Sequence, residues 1–154
     1  MTTAVPRSLV EAFYRAYAAY DAEAVAEYLH DDVRWTISGP VDVLPFCGTH
    51  NGKAAVLDLI ARLMPGVLRV VSFVSDTMLV DGDNVATLNR LSATSSTDGR
   101  VISYRLAHFM RFRDGKVIEN ISLIDSFDAA EQVLGHALPV HASPPLETGD
   151  LVAV

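Results

Sequence analysis

Apolar positions recur at spacings of three and four through the first part of the chain and at a spacing of two through most of the rest. Leu9, Val10, Phe13, Tyr14, Tyr17 and Tyr20 share one side of a helix expected over residues 6–20, with Pro6 near its start. Asp21 is placed to cap a second helix, Ala22–Leu29, which carries Ala22, Val25, Ala26 and Leu29 on one side. Val33–Ile37 alternates and reads as a short strand holding Trp35. Gly39 to Asn51 reads as a loop that includes Phe46, Cys47 and His50. A third helix runs from about Gly52 to Met64, with Pro65-Gly66 as its stop.

From Leu68 onward the period is two, giving strands at Arg69–Val80, Asn84–Ser96, Val101–Phe112 and Val117–Phe127. Turns containing Asp81-Gly82-Asp83-Asn84, Asp98-Gly99 and Asp114-Gly115 join them into an antiparallel meander. Three helices followed by a meander define an α+β domain with helices on one face of a curved sheet. Asp128–Leu134 adds a last helix ended by Gly135. Residues 1–137 read as one domain. Residues 138–154 form a tail without periodicity, expected to lie on the same subunit or a partner subunit.

A two-residue Asp114-Gly115 turn sets Phe112 opposite Val117, His108 opposite Ile121 and Tyr104 opposite Asp125. Tyr104, Leu106, His108 and Met110 then share a face with Val117, Ile121, Leu123 and Asp125. Pairing Thr97 with Arg100 across Asp98-Gly99 adds Asn89 to that face, opposite His108. Arg90, Ser92, Arg105, Asn120 and Ser122 fall on the other face. One bulge would exchange the two sets beyond it.

Composition narrows the class. The chain has 154 residues, half of them hydrophobic and 20% charged, which suits a single globular core. A net charge of −7 argues against nucleic acid as a partner. No apolar stretch is long enough to span a membrane, and the first twenty residues lack a signal-peptide pattern. The lone Cys47 fits a reducing, cytoplasmic compartment, and five histidines without metal-binding spacing leave no metal or cofactor expected.

An apolar face holding a phenol, an imidazole and a carboxylate has the make-up of a small-molecule pocket. Asp125 reads either as a solvated turn residue or as a general base in an apolar mouth. His108 reads as hydrogen-bonded core or as a group that polarises a carbonyl, with Tyr104 as a second oxyanion donor and Asn89 orienting one of them. Trp35, Tyr14, Tyr17, Leu106 and Met110 are the expected lining, each also readable as plain core.

Over about residues 6–135 the chain resembles the SnoaL-like, nuclear transport factor 2-like superfamily. The resemblance lies in Val10-Glu11-Ala12-Phe13-Tyr14, Tyr28-Leu29-His30-Asp31-Asp32-Val33-Arg34-Trp35, Gly48-Thr49-His50-Asn51-Gly52-Lys53 and Phe109-Met110-Arg111-Phe112-Arg113-Asp114-Gly115-Lys116-Val117-Ile118-Glu119. It implies a cone-shaped α+β barrel around an apolar cavity, commonly dimeric, in a fold that serves many chemistries. Ketosteroid isomerases have a carboxylate after the first strand, where Trp35–Pro40 has none. Asp125 matches the aspartate ending the last strand of limonene-epoxide-hydrolase-like enzymes, but Ser92 replaces the aspartate of their Arg-x-Asp. In polyketide cyclases of this family the base falls near Ser122, with a histidine where Asn120 stands. The expectation is a cofactor-independent isomerase or aldol-type cyclase for a small hydrophobic carbonyl compound, working as a homodimer. The alternatives are a non-catalytic apolar-ligand-binding or dimerisation domain, and an epoxide-hydrolase-like enzyme.

Overall fold

The computed structural model describes residues 4–140. Two helices, α1 (Arg7–Ala18) and α2 (Ala22–Ala26), precede β1 (Leu29–Ser38) and β2 (Gly48–Asn51). Then come α3 (Lys53–Asp58), a π-helical turn (Leu59–Leu63) and α4 (Met64–Val67). The long strands β3 (Leu68–Asp81), β4 (Asn84–Ser95), β5 (Val101–Arg113) and β6 (Lys116–Ile124) follow, and α5 (Ser126–Leu134) closes the order.

The six strands form one sheet in the order β2-β1-β6-β5-β4-β3. All neighbours are antiparallel except β1 and β6, which pair in parallel. The α+β meander expected from the sequence is present, and the sheet is open, with β2 and β3 as edges. Val10, Phe13, Tyr14 and Tyr17 of α1, Val56 of α3 and Leu59 and Ile60 of the π turn are buried in the core with the inward side chains of the sheet. Removing apolar area of that size from water, at about 25 cal/mol per Å², is what holds the helices to the sheet.

Local chemistry explains several element ends. The Asp21 carboxylate accepts the Ala24 N–H at 3.0 Å, the cap expected for α2. That helix ends at Ala26 rather than Leu29, because Leu29 already opens β1. Pro65 does not stop the third helical segment. It follows the π turn directly, where the Met64 N–H bonds to the Leu59 carbonyl, and the helical run continues to Val67. The residue 39–51 loop contains a short strand, β2, whose His50 pairs with Trp35 of β1. Asp125, not Asp128, is the N-cap residue of α5, and Gly135 ends it in the left-handed region at φ 78°.

Two register corrections decide what the interior contains. Across β4 and β5 the loop is longer than a two-residue turn, so Thr87 faces His108 and Asn89 faces Leu106. The offset is two residues, so the inward face is unchanged. Across β5 and β6 a bulge at Ile118 follows the Phe112–Val117 pair, and His108 faces Ser122 instead of Ile121. An offset of one residue reverses every side chain beyond it. Asn120 and Ser122 therefore point inward, while Ile121, Leu123 and Asp125 are exposed. Of the tail expected over residues 138–154, only 138–140 are among the described residues, where the Leu138 N–H donates to the Glu131 carboxylate at 2.7 Å.

Candidate binding site

The inward positions of β4, β5 and β6 bring polar side chains into an apolar interior. Thr87, Asn89, His108, Asn120 and Ser122 are all buried. Burying polar groups of this kind is costly unless they bond to one another, and most of them do. Ser75 Oγ donates to Asn89 Oδ1 at 2.6 Å, and Asn89 Nδ2 donates to Thr87 Oγ1 at 2.9 Å. The Tyr14 hydroxyl lies 2.6 Å from Thr87 Oγ1 and 2.9 Å from His108 Nδ1. A continuous chain of hydrogen bonds thus runs from Ser75 on β3 to the imidazole on β5.

Burial sets the electrostatics. His108 is fully enclosed, and loss of hydration lowers its pKa from 6.5 to about 3, so the imidazole is neutral at ordinary pH. Burial also raises the Tyr14 phenol above its usual value, opposed by hydrogen bonding with Thr87 and Asn89. Tyr17 and Tyr104 shift upward for the same reason. The buried polar groups among the described residues include no carboxylate.

A groove of about 660 Å³ opens between α1 and β3, with Tyr14, Phe73, Ser75, Val70 and Met78 among its lining. Its rim carries Glu11 beside Arg7 and Asp76 paired with Arg90, plus Arg15. The hydroxyl that begins the buried chain, on Ser75, therefore lines the groove, and the Tyr14 ring forms part of its wall.

The residues expected to form a site are brought together only in part. Tyr14, His108 and Asn89 belong to one network, with Asn89 acting on the imidazole through Thr87 and Tyr14. Trp35 is fully buried, its ring 6.1 Å from Phe13, 5.6 Å from Tyr17 and 6.3 Å from His108. Leu106 and Met110 point inward as apolar wall. Tyr104 shares the inward face but stands four residues from His108, and the ionisable groups acting on its phenol are Tyr20 and Cys47. Asp125 does not reach the imidazole network, but lines a surface pocket of about 400 Å³ with Tyr104, Arg90, Ser92 and Arg105. The Ile118 bulge turns it outward, where its backbone N–H donates to the Arg105 carbonyl at 3.0 Å. Cys47 is a buried thiol raised by burial to about 11, which suits packing rather than nucleophilic chemistry. Among the described residues no group of three or more His, Cys, Asp or Glu side chains gathers as a metal site, and no helix is long and apolar enough to cross a membrane.

Sequence reasoning missed Thr87, Ser75, Phe73, Asn120 and Ser122. Thr87 carried a signal, since it lies two residues before Asn89 on a strand of period two. Asn120 and Ser122 were marked only by the family resemblance, which puts a histidine and a base at those positions; the alternation alone set them on the outer face.

A bent open sheet closed by helices over a mixed apolar and polar interior defines a small α+β cavity protein. The SnoaL-like domain matches residues 10–120, and the chain belongs to that family. It is similar to a protein from Rhodopseudomonas palustris provisionally assigned as an isomerase, at 32% identity and TM-score 0.75, covering 88% of this chain and all of that one. A protein of ketosteroid-isomerase-like fold from Catenulispora acidiphila, in complex with trimethylamine, matches at 14% identity and TM-score 0.69 over 84% and 94% of the two chains. An epoxide hydrolase from M. tuberculosis, similar to limonene epoxide hydrolase, matches at 19% identity and TM-score 0.66 over 83% and 88%. These last two likenesses concern the fold. No curated protein matches the chain.

Proposed function

We propose that this protein binds a small, mostly apolar molecule bearing a hydroxyl or carbonyl oxygen in the groove between α1 and β3. The observation that carries this reading is the coincidence of a ligand-sized groove with Ser75, the outer end of the buried hydrogen-bond chain. The apolar body would lie on Phe73, Val70 and the Tyr14 ring, with the oxygen at Ser75. Recognition is favoured over proton transfer because the buried groups among the described residues include no carboxylate and burial makes the His108 imidazole a weak base.

The second reading is a cofactor-independent isomerase, supported by the relative at 32% identity that carries that provisional assignment. A base would then come from the groove rim, where Glu11 and Asp76 stand. An epoxide-hydrolase-like activity has less support, since Asp125 is turned out of the interior and Ser92 stands where a carboxylate would be needed.

Thermal-shift titration with apolar ketones, lactones and phenols, followed by NMR of the hits in deuterated water, separates the readings. Stabilisation that disappears in Ser75→Phe, without deuterium exchange, fits a binding protein. Exchange that is lost in Glu11→Gln or Asp76→Asn establishes the isomerase. No stabilisation by any class overturns both.

We further propose a homodimer built on the outer sheet face. Leu88, Phe109, Ile121 and Leu123 are 42%, 48%, 40% and 48% exposed there, a high exposure for neighbouring apolar side chains.

A further inference from the structure

Among the described residues, three buried side-chain polar atoms have no hydrogen-bond partner: Trp35 Nε1, His108 Nε2 and Asn120 Oδ1. Leaving a buried donor or acceptor unpaired is costly, and native proteins do so rarely. The three atoms belong to one neighbourhood. Trp35 and Asn120 are register partners on the parallel strands β1 and β6. His108 faces Ser122, which accepts the Asn120 amide N–H at 2.8 Å. The Trp35 and His108 rings meet edge to face with centroids 6.3 Å apart. One hydroxyl oxygen can hydrogen-bond two donors and one acceptor at about 2.9 Å each.

Thr87 Oγ1 accepts from Asn89, and one sense of the chain gives both hydroxyl protons an acceptor: Thr87 Oγ1–H donates to the Tyr14 oxygen, and Tyr14 O–H donates to His108 Nδ1. With Nδ1 as acceptor, the neutral ring carries its proton on Nε2. The unpaired set is therefore two donors, His108 Nε2–H and Trp35 Nε1–H, and one acceptor, Asn120 Oδ1.

We infer that Trp35, His108 and Asn120 form an internal site for a single neutral hydroxyl oxygen. A hydroxyl accepts two hydrogen bonds and donates one, which matches the set atom for atom. A carbonyl oxygen would leave Asn120 Oδ1 unpaired. A carboxylate would be an uncompensated buried charge, since no cationic side chain stands among the buried residues of the described chain, 4–140. The inference does not rest on occupation of the groove, which meets the other edge of the imidazole through Tyr14. The oxygen has two sources, the head group of an alcohol or phenol and a resident water molecule.

The chain has one tryptophan, so its indole N–H gives a single, unambiguous NMR signal. The test is titration of ¹⁵N-labelled protein with phenol and, in parallel, toluene, which has the same ring without the hydroxyl. Phenol is expected to shift the indole N–H and the His108 Nε2–H signals saturably, and toluene to leave both in place. Asn120→Leu should weaken phenol binding about tenfold, the cost of one unpaired buried hydroxyl donor. An indole proton in contact with a long-lived water that phenol does not displace supports the site and assigns the oxygen to water. Three results would overturn the inference. They are equal shifts with phenol and toluene, neither a phenol shift nor a long-lived water, and a free imidazole protonated on Nδ1. The wild-type titration decides the matter even where the variant fails to fold.

Discussion

Tyr14 and His108 lie nearly parallel, ring centroids 5.7 Å apart and planes 12° apart, with the phenol oxygen 2.9 Å from Nδ1. Stacking and hydrogen bonding are thus made by the same pair. Tyr14→Phe keeps the stack and removes the hydroxyl, leaving Thr87 and His108 without their shared partner. The expected loss is about 1–3 kcal/mol, read as a lower urea midpoint at unchanged slope.

Stability should fall on mild acidification because of His108. The imidazole faces Tyr14 and Tyr17 of α1, Trp35 of β1, Phe73 of β3, Thr87 of β4 and Ser122 of β6, none of them charged. Its pKa is about 3 folded against 6.5 for a free imidazole. The unfolded chain therefore binds a proton that the folded chain does not. The contribution is full above pH 6.5 and is lost progressively as the pH falls towards 3, by up to about 1.4 kcal/mol per pH unit. Denaturation curves of wild type and His108→Gln from pH 7.5 to 4.5 should show a shallower slope in the variant. Parallel slopes would refute the assignment.

Gly39 is constrained by a single neighbour. A Cβ placed there would stand 2.5 Å from Cys47 Sγ, inside a buried contact. Gly39→Ala should cost about 1–3 kcal/mol through overpacking. Adding Cys47→Ala to the same chain should recover part of that loss, a non-additivity measurable in a double-mutant cycle.

The outer sheet face should respond to charge. Phe109 and Ile121 are paired across β5 and β6, and Leu88 and Leu123 flank Ala107 in the adjoining row. Wild type is expected to sediment as a dimer. Phe109→Asp combined with Leu123→Asp should give a folded monomer, because both side chains are exposed within one subunit. A wild-type monomer would remove the dimer proposal.

The helices and the meander were legible because period and turn chemistry agree over long stretches. Asn89 and His108 were correctly assigned to one face, although their pairing was two residues out, because an even offset preserves the face. The β6 reading failed on an odd offset. Ile118 is an ordinary β-former, and no glycine marks the bulge, so nothing local separates it from a regular strand residue. β2 was hidden for a different reason. Four residues among glycines and prolines become a strand only because β1 offers an edge. The site was half visible: the imidazole and Asn89 stood out as polar residues on an apolar face, whereas the roles of Thr87 and Ser75 depend on contacts between strands.

The Ile118 bulge makes the chemistry of the interior a matter of parity. With the extra residue taken up at Ile118, Ser122 stands opposite His108; a straightened strand of the same sequence would put Ile121 there instead. Ile121, Leu123 and Asp125 would then enter the core, and the amide and hydroxyl of Asn120 and Ser122 would leave it. One residue absorbed or released at the bulge thus decides whether the interior is neutral or acidic.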